Sequence, residues 1–194
     1  MPAPRLEFRN VTRCFNGDSR GGGRAEPLVA ASNVSLTVED GEGVSLIGPS
    51  GCGKSTLLTM AAGLDRPSAG EVYVDGKRVS GPNRQVAFML QKDLLMPWRT
   101  ILENVELGLE MRGEPGASRR AKAQEQLARC HLGRFLHHYP HQLSGGMRQR
   151  AALARTLAVD PDVILLDEPF SAVDAQTKMV LQRDFGRAFA ANRK

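Results

Sequence analysis

The eight residues Gly48-Pro49-Ser50-Gly51-Cys52-Gly53-Lys54-Ser55 fit the spacing G-x-x-x-x-G-K-[ST]. Such a loop can wrap an anion. Its glycines let backbone N–H groups turn inward, and the N-terminus of a following helix adds roughly half a positive charge. The chemistry suits a phosphate chain: Lys54 reaches the β- and γ-phosphates, Ser55 ligates Mg²⁺, and Thr56 adds a phosphate contact. Cys52 fills a variable position and reads as a small filler. A second stretch is Asp167-Glu168, which closes the apolar run Val163-Ile164-Leu165-Leu166. Asp167 can hold the Mg²⁺ shell through water. Glu168 faces differently, because strand side chains alternate, and that suits a general base polarising an attacking water. The third stretch is Leu143-Ser144-Gly145-Gly146-Met147. A helix cap alone accounts for Ser144. The two glycines each cost a helix about 1 kcal/mol relative to alanine, and they make sense where the backbone must approach another anion closely.

These groups need elements to hold them. Val44-Ser45-Leu46-Ile47 reads as a short apolar strand running straight into the phosphate loop, and Leu57 to Gly63 as the helix that follows it. Leu6-Glu7-Phe8 and Val34 to Val38 alternate as half-buried strands do, and the Gly-rich stretch from Asn16 to Pro27 reads as a loop between them. Glu71 to Val74 is a strand returned by an Asp75-Gly76 turn, and Gln85 to Leu90 is a buried strand. Helices are expected over Thr100–Met111, Ser118–His131, Ser144–Ala158 and Ala175–Ala190. Apolar strands alternating with helices predict an α/β fold with a parallel sheet covered on both faces.

Composition narrows the class. The 194 residues carry 26 Lys+Arg and 21 Asp+Glu, a net charge of +5, with 41% hydrophobic residues, so the chain is neither disordered nor fibrous. That length suits one domain. The 3 cysteines lack metal-ligand spacing, which argues against a disulfide framework or zinc site and for a reducing compartment. Met1 to Asn10 has no long apolar run, so no secretory signal is expected. The longest nearly apolar stretch, Leu57 to Leu64, falls far short of the roughly 20 residues that a membrane helix needs. Aromatics are only 5% and form no basic stripe, which speaks against nucleic acid as a partner.

The third stretch resembles the signature motif of ABC-type ATPases, with Met147 in the usual glutamine position, and the other motifs follow in that family's order. The resemblance implies a P-loop NTPase fold with a RecA-like parallel sheet core, a small antiparallel β subdomain and a helical signature subdomain at about 92–150, all within one domain over 1–194. It implies ATP and Mg²⁺ as ligands. Phe15 resembles the aromatic that stacks on adenine, and Gly48, Pro49, Ser50, Gly51, Cys52, Gly53, Lys54, Ser55 and Thr56 form the phosphate cradle. Gln91 resembles the glutamine that touches Mg²⁺ and the attacking water, so Ser55, Gln91 and Asp167 make up the metal set, and Gln91 joins Glu168 as catalytic. Ser144, Gly145 and Gly146 would clamp ATP across a head-to-tail dimer with a second copy, and Asp174, in Ser171-Ala172-Val173-Asp174, would reach across it.

Asp93 to Thr100 and Tyr139 to Arg150 further resemble importer ATPases of the nitrate, sulfonate and taurine type. That implies a motor that is cytoplasmic and peripheral on the inner membrane face through a transmembrane permease, served indirectly by an extracytoplasmic solute-binding protein. The apolar cluster Leu94, Leu95, Met96 and Trp98 would belong to the permease-facing groove or to the helical core. The family also places a histidine on a later strand, and none follows His141 here, so the chain is expected to lack the C-terminal core strands. The alternative is then a nucleotide-binding module with little turnover. His131, His137, His138 and His141 are expected on the surface of the helical subdomain. A soluble ATPase acting on DNA or ribosomes is disfavoured by the lack of tandem motifs and coiled-coil insertions, and a P-loop kinase or GTPase by the signature stretch.

Overall fold

The computed structural model describes residues 3–15, 27–170, 178–179 and 183. It divides into two compact units, 1–86 and 87–194.

The first unit is built on a four-stranded antiparallel sheet in the order β2-β1-β3-β4, formed by β1 (Leu6–Phe15), β2 (Leu28–Val38), β3 (Ala69–Val74) and β4 (Lys77–Arg78). Alternation decides which face is covered. Leu6 and Phe8 are buried opposite Val74 and Val72, which are also buried. On the other face the Arg9 guanidinium lies 4.3 Å from the centroid of the Tyr73 ring. The Asp75-Gly76 turn has φ of 48° and 69°, the left-handed pair a two-residue hairpin requires. Asp75 is fixed there by Arg5 at 2.9 Å and by Gln85 Nε2 at 2.7 Å. The helix α1 (Lys54–Ala61) packs on β2 and β3. β1 and β2 pair along most of their 10 and 11 residues, so these strands are longer than their alternating cores suggest.

Val44 to Ile47 departs from expectation. It forms no strand, and Ile47 is 96% exposed. A strand exists only by its ladder. Among the described residues β1 to β4 pair with one another and β5 with β6, leaving this run no partner. Its apolar content marks it as a segment to be covered without saying by what.

The second unit holds β5 (Val86–Met89, whose first residue belongs to the other unit) and β6 (Val163–Leu166), a two-stranded parallel sheet. Three helices, α2 (Ile101–Met111), α3 (Gly116–Arg129) and α4 (Gly145–Ala158), pack pairwise against one another. Their core is read directly from helical spacing. Ile101, Val105 and Leu109 descend one face of α2, Ala123 and Leu127 one face of α3, and Ala151, Ala154 and Ala158 let α4 approach closely. α2 starts on a capping box: Thr100 Oγ1 accepts the Glu103 N–H at 3.3 Å, and Glu103 Oε2 accepts the Thr100 N–H at 2.7 Å. The Thr100 N–H and the Thr100 hydroxyl, both donating to Oε2, hold the Glu103 carboxyl below its ordinary range. Cys130 is buried beneath α3, where desolvation pushes its thiol up to about 12 and keeps it unreactive.

Asn104 is fully buried and organises the segment before α2. Its Nδ2 donates to the carbonyls of Met96, Arg99 and Thr100 at 2.9–3.1 Å, and its Oδ1 accepts the Met96 N–H at 2.7 Å. Asn104→Leu takes a partner from the Met96 N–H and the Arg99 carbonyl, while the Met96 and Thr100 carbonyls keep the backbone N–H groups of residues 99 and 104, and it should lower stability by about 1–3 kcal/mol in urea unfolding. The same anchoring splits the apolar cluster expected here. Leu95 enters the core and Met96 is half-buried, while Leu94 and Trp98 stay 55% and 72% exposed. Of the histidines, His131, His137 and His141 are exposed and His138 is half-buried, its ring meeting Phe135 edge-on. Among the described residues no helix is long and apolar enough to cross a membrane.

Candidate functional site

The phosphate loop of the first unit is shaped before any ligand arrives. Gly51 and Gly53 have φ of 82° and 94°, and a Cβ on Gly53 would stand 2.1 Å from the Ala30 carbonyl oxygen of β2. Only glycine fits there. Gly53→Ala should therefore cost at least about 1–2 kcal/mol from the left-handed backbone, with the clash in addition. Thermal unfolding measures that loss. Gly53 caps α1 with no side-chain hydrogen bond, and the first intrahelical bond runs from Leu57 N–H to Gly53 O at 3.0 Å. The N–H groups of Lys54, Ser55 and Thr56 thus have no helical acceptor, and no acid in the first turn competes for them. The Lys54 ammonium arches over the loop, donating to the carbonyls of Gly48 and Pro49 at 2.8 Å each. Cys52 is exposed, with its sulfur 3.6 Å from Lys54 Nζ. Uncapped amides beside one ammonium fit a polyphosphate.

Phe15 ends β1 and is 38% exposed. The Arg13 guanidinium lies 4.5 Å from its ring centroid and pairs with Asp65 at 2.9 Å. One π-face of the ring is already covered by a cation.

In the second unit the carboxyl ends of β5 and β6 bring distant residues together. The Asp167 N–H donates to Met89 O at 3.0 Å, continuing the ladder, and its side chain is buried. Glu168, one residue on, has φ of 49°, a left-handed conformation unusual for a glutamate. Gln91 Nε2 donates to Glu168 Oε2 at 3.0 Å, and both side chains are exposed. In parallel α/β sheets, ligands lie beyond these strand ends. Gln91 keeps its Oε1 for another partner, since Nε2 makes the bond to Glu168. Among the described residues no three His, Cys, Asp or Glu side chains converge to cage a metal. Mg²⁺ favours phosphate oxygens and water over an all-protein cage, so single hydroxyl, amide and carboxylate oxygens, of the types Ser55 carries in the first unit and Gln91 and Asp167 in the second, are suitable donors.

Ser144 is the N-cap of α4: its Oγ accepts the Met147 N–H at 3.3 Å, and Gly145 and Gly146 occupy the first turn with no acidic residue. Asp174 and the stretch Ser171 to Val173 lie outside the described residues, as does nearly all of the helix expected at Ala175–Ala190.

The ABC transporter family profile (ABC_tran) matches residues 31–171. This chain belongs to the ABC transporter family. An uncharacterized ABC transporter ATP-binding protein, MJ0412 of Methanocaldococcus jannaschii, is 44% identical over 190 residues, covering 98% of this chain and 69% of that protein. The taurine import ATP-binding protein TauB of Yersinia pestis is 48% identical over 153 residues, covering 79% of this chain and 60% of that one. The chain thus spans three fifths to seven tenths of the length of these relatives. Among solved structures, the dimeric post-hydrolysis state of the ATP-binding cassette MJ0796 bound to ADP and Pi has a TM-score of 0.86 at 37% identity, covering 95% of this chain and 82% of that one. A second dimeric structure of MJ0796 gives 0.87 at 36% identity, covering 96% and 84%. The cassette accordingly has the α/β fold of ABC ATPases.

Sequence reading missed how α4 of this ABC cassette grips the segment after Gln91. The Arg148 Nε pairs with Asp93 Oδ2 at 3.0 Å, and its Nη1 donates to Leu143 O at 2.9 Å. Arg155 donates to the carbonyls of Asp93 and Leu94 at 2.7 and 2.8 Å. Burial lowers the Arg155 guanidinium from its ordinary value while Asp93 opposes the shift. Gln149 Nε2 donates to Gln91 O at 3.0 Å. The one available signal was helical spacing, which sets positions 148 and 155 two turns apart on one side of α4.

Proposed function

We propose that this ABC cassette is the ATP-hydrolysing motor subunit of an importer for a small anion or organic solute of the taurine, sulfonate or nitrate kind. The observation that carries the reading is the Gln91–Glu168 hydrogen bond at the ends of two adjacent parallel strands. Gly48 to Gly53 and the N–H groups of Lys54, Ser55 and Thr56 hold the β- and γ-phosphates, with the Lys54 ammonium turning from the loop carbonyls to the phosphate oxygens. Phe15 offers its open face to the adenine. Glu168 takes a proton from the attacking water, Gln91 orients that water, and the products are ADP and phosphate. Ser55, Gln91 and Asp167 would hold Mg²⁺, a group that when bound would supply positive charge against that developing on the phosphates.

The signature turn Ser144-Gly145-Gly146 and Asp174 act on the nucleotide of a second copy in a head-to-tail dimer. The dimeric state of the MJ0796 cassettes supports a second copy as partner. The region around 92–150 serves as the helical subdomain, and exposed Leu94 and Trp98 face a permease. Through that permease the motor works at the cytoplasmic side of the membrane, with a solute-binding protein delivering cargo outside. The taurine-import relative supports that cargo class.

Copurification of the protein with a coexpressed transmembrane permease, followed by uptake of labelled taurine and nitrate into proteoliposomes, tests the assignment. ATP-dependent uptake of one of them is expected. ATP hydrolysis with no permease association would overturn the importer reading.

A further inference from the structure

Gln149 is buried on α4, and nothing about packing requires an amide there. Its Nε2 donates to the Gln91 carbonyl at 3.0 Å, while its Oε1 is buried with no hydrogen-bond partner among the described residues. A buried acceptor left unpaired opposes folding, and an apolar residue of the same length would avoid that cost. What the amide does contribute is one end of a continuous chain: Gln149 to the Gln91 backbone, and the Gln91 side chain to Glu168 Oε2 at 3.0 Å. Around it, Arg148 and Arg155 hold Asp93 and Leu94 to the same helix, so the segment after Gln91 travels with α4. The N-cap of that helix, Ser144, lies five residues before Gln149, about 7–8 Å along the axis.

We propose that Gln149 is a positioning residue for hydrolysis, tying the Ser144-Gly145-Gly146 turn to Gln91 and through it to Glu168. The inference rests on the catalytic reading of Gln91 and Glu168 given above. In a head-to-tail dimer, a nucleotide seated against Ser144 on one side would fix α4, and Gln149 would transmit that placement to the base of its own chain.

The test compares Gln149→Met, Gln91→Ala and the double variant in the full-length protein. Methionine matches the length of glutamine and removes both the donor and the orphaned acceptor. Gln149→Met is expected to lower kcat about tenfold, with KM for ATP changed less than about twofold and the unfolding midpoint unchanged or raised. In the Gln91→Ala background the same substitution should add nothing, because the side chain it positions is gone. Hydrogen exchange at the amides of Lys92 to Leu95 should quicken about fivefold in Gln149→Met, whatever the turnover. Wild-type kcat in Gln149→Met, a further tenfold loss on top of Gln91→Ala, or unchanged exchange would overturn the proposal. If Gln91→Ala itself keeps wild-type kcat, the catalytic reading fails first and this inference goes with it.

Discussion

Glu168→Gln is expected to lower kcat by about 10²–10⁴-fold while the affinity for ATP is retained, the range for loss of a positioned general base. The substitution is nearly isosteric. The bond from Gln91 can persist to the remaining carbonyl oxygen, and glutamine accepts the left-handed φ of 49° at this position no less readily than glutamate. Folding should therefore be unaffected, with thermal midpoints that coincide. What is lost is the oxygen able to take a proton from water. Steady-state phosphate release together with equilibrium binding of a fluorescent ATP analogue separates the two effects. ATP held without hydrolysis should also accumulate a dimer on gel filtration if the signature turn closes over a second copy's nucleotide. A drop of only a few-fold would show that Glu168 does not serve as the base.

Lys54→Ala is expected to weaken ATP binding about 10³-fold. An ammonium about 4 Å from one phosphate charge, at an effective dielectric of about 20, contributes about 4 kcal/mol, which converts to that factor. Lys54 also bridges the carbonyls of Gly48 and Pro49, so its removal frees the loop as well as removing charge. Lys54→Arg separates the contributions. It restores the charge, but a planar guanidinium cannot replace a compact ammonium over a loop this tight, and only a small part of the affinity should return. Titration calorimetry with Mg-ATP reads both variants. Retention of near wild-type affinity in Lys54→Ala would remove the phosphate loop from the binding reading.

Features that depend on neighbours along the chain were legible in the sequence. The Gly53 and Asp75-Gly76 backbones need left-handed φ, and the residue types announce it. Ser144 bonds three residues ahead, within reach of any helix N-cap, and the α2 and α3 stripes follow from a period of 3.6. Val44 to Ile47 forms no strand for the complementary reason. Apolar content reports a tendency to be covered, while a strand is made by a partner's backbone. Leu95 and Trp98 show the same limit on one segment. Equal hydrophobicity placed them in one cluster, and the Asn104 hydrogen bonds to the Met96 backbone decided which entered the core.

The sequence by itself determined the family, because short motifs set by local backbone geometry stand in that family's order, and it singled out the loop from Gly48 to Ser55, Asp167 and Glu168 by their place after apolar runs and Gln91 by resemblance. Only the tertiary structure decided that Gln91 meets Glu168 across 77 positions, and that Gln149 holds Gln91 across 58. Hydrogen bonds act over about 3 Å, and chain separation says nothing about that distance until strands pair and helices pack.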